Sequence, residues 1–90
     1  MSQAIVDPAE LRRFAQFLRR FNEDMRQQMT ATQTQLQNLS TTWRDQEHQK
    51  FADEFGGQVQ SLVGFMEMID EYVRFLLRKA EKIEEYLNQR

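Results

Sequence analysis

Ninety residues make one small domain, and at that size an isolated hydrophobic core is marginal because so much of the chain stays at the surface. The absence of cysteine removes disulfide staples, thiolate zinc sites and a thiol nucleophile. With 12 Lys and Arg against 14 Asp and Glu, there is no broad positive field to neutralise phosphates, which argues against nucleic acid as a partner.

The opening Met-Ser-Gln-Ala-Ile-Val-Asp-Pro lacks a basic start followed by an apolar stretch, and no apolar run has the length of a membrane span. The expectation is a protein synthesised in the cytoplasm without a signal peptide and without stable membrane insertion, whose export would need a route that cleaves no leader. One Pro and three Gly, a mean hydropathy of -0.76 and 11% aromatic residues favour long helices with their apolar residues gathered into stripes.

Asp7, Pro8 and Glu10 form a helix start, with Asp7 as cap, Pro8 at the first helical position and Glu10 completing a capping box; Val6 and Leu11 occupy the positions of a hydrophobic staple. From there Leu11, Phe14, Leu18, Phe21, Met25, Met29, Thr32, Leu36, Leu39 and Trp43 recur at three- and four-residue steps. Helix 1 is expected over about 8–40. Thr and Gln dominate its last third, and Ser40-Thr41-Thr42 lowers helix propensity into a turn over about 41–45.

Asp45 can cap a second helix over about 46–88. Its main stripe is Phe51, Phe55, Val59, Leu62, Met66, Ile69, Val73, Leu76, Ala80, Ile83 and Leu87, heptad from Val59 onward. A second row, Phe65, Met68, Tyr72, Phe75 and Tyr86, widens the apolar arc beyond a two-helix seam. The fold class is therefore all-α: one domain over 1–90, an antiparallel two-helix hairpin. Leu18 and Phe21 of helix 1 with Leu62, Met66, Ile69, Val73 and Leu76 of helix 2 should form the hairpin core. Phe65, Met68, Tyr72 and Phe75 should meet a second chain. Gly56-Gly57 costs roughly 1 kcal/mol per glycine relative to Ala, so the first part of helix 2 is expected to kink or fray; Gly57 and Gly64 border the second row.

Chemistry is sparse. His48 is the only histidine, and although Asp45 and Glu47 are near it in sequence, no His or Cys at matching spacing completes a metal set. Ser40, Thr41 and Thr42 have no histidine base in sequence contact, and no glycine-rich loop precedes a helix. The chain reads as a non-enzymatic pairing protein with no cofactor and no metal.

A helix of about thirty-five residues, Trp43 at the corner, Phe51 after it and a longer amphipathic helix together resemble the WXG100 family. The likeness covers nearly the whole chain. It implies a small helical hairpin associated with type VII (ESX) secretion, dimerising head to tail into a four-helix bundle. The turn motif would be Trp43, Asp45 and Phe51. The implied partners are an identical or related hairpin, and beyond it a larger toxin or the secretion ATPase. The family's Trp-any-Gly motif reads Trp43-Arg44-Asp45 here, and Asp45 can replace Gly as a cap. The family's tail signal, Tyr followed four residues on by an acid, is not matched: Tyr86 is followed by Arg90 and Tyr72 by Leu76. Export would then rest on a partner carrying the signal, or the chain would serve as an escort. A reading of a different class is an intracellular coiled-coil adaptor unrelated to secretion.

Overall fold

A computed structural model describes residues 6–89, so Arg90 of the tail lies outside the described residues. Two helices, α1 (Pro8–Leu39) and α2 (Gln46–Asn88), fold back on one another as an extended hairpin. The all-α hairpin expected from the two stripes is the fold observed.

Each helix starts on an aspartate. The Asp7 carboxylate accepts from Ala9 N–H at 2.9 Å, and Pro8 at the first helical position loses nothing by lacking an N–H there. Glu10 does not reach back to close a capping box; its carboxylate pairs with Arg13 one turn on. At α2 the Asp45 carboxylate accepts from His48 N–H at 3.0 Å, answering one of the four N–H groups that a helix start leaves free.

The end of α1 uses the Ser-Thr-Thr run in a way that propensity alone does not suggest. Ser40 Oγ donates to Leu36 O, Thr41 Oγ1 to Asn38 O and Thr42 Oγ1 to Leu39 O, so each hydroxyl adds a bond to a carbonyl that already accepts a backbone N–H from the tightened last turn. Among the described residues none has a positive φ. The corner is thus turned without a left-handed residue, and Asp45 itself sits at φ -91, ψ -174, an extended conformation open to any side chain. A glycine is not needed there.

The buried seam is thin: Ala15, Met66, Ile69, Val73 and Ala80, with one polar residue, Asn22, among the described residues. Leu18, Leu76 and Leu77 pack partly buried against it. α2 keeps its heptad stripe facing α1 and remains helical through Gly56-Gly57 instead of fraying, with Phe55, Val59 and Leu62 half-buried on either side. A Cβ at any of the three glycines would meet nothing within 4 Å, so the hairpin itself makes no use of their smallness.

On α1 the stripe differs from the sequence expectation by one position in two places. Ala15 rather than Phe14, and Asn22 rather than Phe21, take the buried positions. Phe21, expected in the hairpin core, is 39% exposed. The reason is geometric: Ala15, Asn22, Met29 and Leu36 repeat every seven residues and alternate with Leu11, Leu18 and Met25, and this track keeps in step with the heptads of α2. Phe14 and Phe21 lie one position before the track, about 100° around the helix.

The result is a rod of 68 × 21 × 15 Å. Its radius of gyration is 20.3 Å, where a compact domain of this length would have about 12 Å.

Candidate functional site

The heptad register gives the hairpin two unlike flanks. On one, Arg12 and Arg26 lie two heptads apart along α1 and meet Glu84 and Asp70, equally spaced along α2. Arg12 binds Glu84 in a two-pronged fork, Nε to Oε2 at 2.9 Å and Nη2 to Oε1 at 2.7 Å. Arg26 Nη2 reaches Asp70 Oδ2 at 2.8 Å.

Between the clasps Asn22 Nδ2 donates to Met66 O at 2.8 Å and to Asp70 Oδ1 at 2.9 Å, while its own Oδ1 is buried without a partner. Hydrogen bonds from Asn22 and then Arg26 hold the Asp70 carboxyl below its ordinary pKa. The bond from Arg12 does the same for Glu84. These pairs are partly exposed, so they align the helices more than they stabilise them.

The opposite flank carries no such pair among the described residues and is apolar. Phe14, Phe17 and Phe21 follow at helical spacing on α1 and Phe65, Met68, Tyr72 and Phe75 on α2; all seven are exposed, Phe17 most of all at 61%. Phe21 and Phe65 meet edge to face with centroids 6.5 Å apart, which joins the two rows across the seam. Beside them, toward the corner, lies a largely apolar groove of about 320 Å³ lined mainly by Phe21, Met25, Met29, Phe55, Val59 and Leu62, with Asp24, Gln28 and Thr32 at it too. The four α2 residues expected to face a partner thus stand exposed together, and Met66, Ile69 and Val73 are buried in the seam with Leu62, Leu76 and Leu18 half-buried along it. The α1 half of the face escaped sequence reading because Phe14 and Phe21 fit the seam spacing and Phe17 fits no seam. The signal available was that Phe14, Phe17 and Phe21 themselves repeat at three and four residues.

At the corner Trp43 and Phe51 come together, on either side of the Asp45 cap. Trp43 packs edge-on against His48, centroids 5.1 Å apart, and tilted against Phe51 at 6.0 Å, and Phe51 stacks on Phe55 at 5.7 Å. The His48 ring shares a 2.7 Å hydrogen bond with Ser40 Oγ, tying the end of α1 to the first turn of α2. His48 is therefore a strut of the corner.

No group of three or more His, Cys, Asp or Glu among the described residues could hold a metal ion, and none of their helices is long and apolar enough to cross a membrane. What this surface can do is bury itself against another surface. Residues 3–89 match the model of a family described as proteins of 100 residues with WXG. No curated protein matches the chain, and no solved structure does.

Proposed function

The chain belongs to the WXG100 family, and from that membership together with its bare apolar face we propose that it acts in type VII secretion as a pairing module, a substrate or an escort that works by burying this face against a second helical hairpin to make a four-helix bundle. Membership makes it a small helical protein associated with that secretion route; the finer role is our reading. One observation carries it. The hairpin exposes 7341 Å², whereas a compact monomer of 10.9 kDa would expose roughly 5,600 Å². The difference, roughly 1,750 Å², is about twice what one partner buries in a standard-size interface and lies in the range of one side of a large obligate interface, and seven large apolar side chains stand together on the face that would be covered.

The mechanism is burial. Each Phe or Met that passes from exposed to fully buried contributes roughly 1.5–3 kcal/mol, so a few of them decide whether a pair persists. No catalytic step is required of the chain. Neither Tyr72 nor Tyr86 has an acid four places on, which favours an escort whose cargo carries that signal, with the Trp43–Phe51 corner free to meet a larger toxin or the secretion ATPase.

Expression of a tagged chain in a host with a type VII system tests this. The chain, or a cargo that copurifies with it, should reach the medium only when the secretion ATPase is intact, and Phe65→Ser with Phe75→Ser should abolish both copurification and export. Release that ignores the ATPase, or export unchanged by the double substitution, would sink the reading.

A further inference from the structure

The clasps on the polar flank leave a rung unfilled. The heptad register sets α1 residues 12, 19, 26 and 33 against α2 residues 84, 77, 70 and 63. Only alternate rungs of this ladder are closed, Arg12 on Glu84 and Arg26 on Asp70. At the rung between them Arg19 faces Leu77, seven residues from each clasp on both helices. At the next rung toward the corner Gln33 faces Val63.

Arg19 is exposed and makes no ion pair among the described residues, and the same holds for Arg74, one turn before Leu77 on α2. The clasp carboxylates on either side are already engaged: both oxygens of Glu84 are held by Arg12, and those of Asp70 by Asn22 and Arg26. Glu23, Glu71 and Glu81 lie within a turn on their own helices, yet none is paired with Arg19 or Arg74. Leu77 is half-buried against the core and keeps its outer side open between the two arginines.

A single free arginine on a helix is an ordinary solvated side chain. Two that bracket an apolar residue in the gap of a clasped ladder form a receptor for a carboxylate, because each guanidinium fork binds a carboxylate in two prongs and Leu77 shields one side from water. We infer that this flank docks a helix of a different protein, which seats an Asp or Glu between Arg19 and Arg74 and an apolar side chain on Leu77.

Charge complementarity selects that occupant. A two-fold contact with a second copy centred on this rung would set arginines against arginines, the reverse of the self-complementarity such a contact needs. Val63, 36% exposed, gives the same helix a second apolar foothold two heptads, about 21 Å, along the rod. The flank lies on the other side of the rod from Phe65, Met68, Tyr72 and Phe75, so it stays open when that face is covered.

Gln16 is exposed one turn before Arg19 on this flank and takes part in neither clasp. A photo-cross-linking side chain placed there in the tagged chain, expressed in the secretion host, should join it to one different protein. The adduct should map to a helical segment with an Asp or Glu three or four places from an apolar residue, the spacing that puts both on one face. Arg19→Glu should lower the adduct yield at least about tenfold, and Arg19→Lys should lower it less, keeping the charge without the fork. Changing the mapped acid of the partner to Arg should restore the yield with Arg19→Glu. Helical circular dichroism should be the same in all these chains, since Arg19 is no part of the buried seam. An adduct to another copy of this chain, an adduct indifferent to Arg19→Glu, or no adduct at all would overturn the inference. Phe65 and Phe75 are untouched in these variants, so any of those results with ATPase-dependent export intact would leave the secretion reading standing.

Discussion

Asn22 holds the position that a leucine would be expected to take, 1% exposed in the middle of the seam. Its amide nitrogen is doubly used and its oxygen is not used at all, so the residue holds register at a cost to stability. Asn22→Ala should destabilise the hairpin by about 1–3 kcal/mol, read by urea denaturation, because Asp70 loses a donor and the seam gains a void. Asp45 makes a second prediction: Asp45→Ala should cost about 1 kcal/mol through loss of the cap, and Asp45→Gly only a few tenths. Equal losses in the two variants would show that the carboxylate is not what starts α2.

The clasps set a dependence on pH. Asp70 and Glu84 are held below their ordinary values by their donors, so the folded state binds these protons less readily than the unfolded chain. Their contribution is complete above the ordinary carboxylate range, about pH 4, and is lost as pH falls through the depressed folded values. Thermal midpoints followed by circular dichroism should fall below about pH 4. Asp70→Asn combined with Glu84→Gln should start lower at neutral pH and depend less on acidity.

At the scale of elements, α2 was legible because its seam residues repeat strictly and, Ala80 apart, are large, so spacing alone identifies the buried side. α1 was legible as a helix but not in its facing. Two Phe residues sit one place from the true track, and the track itself contains Ala15 and Asn22, which apolar counting passes over. The corner was legible as a turn, while the added bonds from three hydroxyls to carbonyls at the end of α1 depend on carbonyl directions that composition does not encode. The glycine pair was misleading for a related reason. Propensity assigns Gly56-Gly57 a local penalty, but tertiary packing of Phe55, Val59 and Leu62 keeps α2 helical across it. Gly56→Ala should therefore stabilise the protein by about 1 kcal/mol, since a methyl group there meets nothing; a loss of stability would reveal a neighbour absent from the hairpin.

For the whole molecule, a seam of six buried residues among those described is little to hold ninety. Stability should then be linked to assembly, with the thermal midpoint rising as protein concentration increases. Calorimetry over a wide range of concentration measures this, and a constant midpoint would mean that the thin seam is sufficient by itself. The Phe65→Ser, Phe75→Ser chain should lose the concentration dependence while keeping its helical signal at low temperature.

The spacing of the polar ties along the rod also bears on the order in which it forms. Ser40 and His48 are eight residues apart, Asn22 and Asp70 forty-eight, Arg12 and Glu84 seventy-two. Loop-closure entropy rises with separation, so the chain gains most by closing from the corner outward, each tie shortening the loop that the next must close. Reversed, the same order makes the molecule open like tongs from its chain ends, and amide exchange should be fastest at those ends and slow progressively toward Asn22.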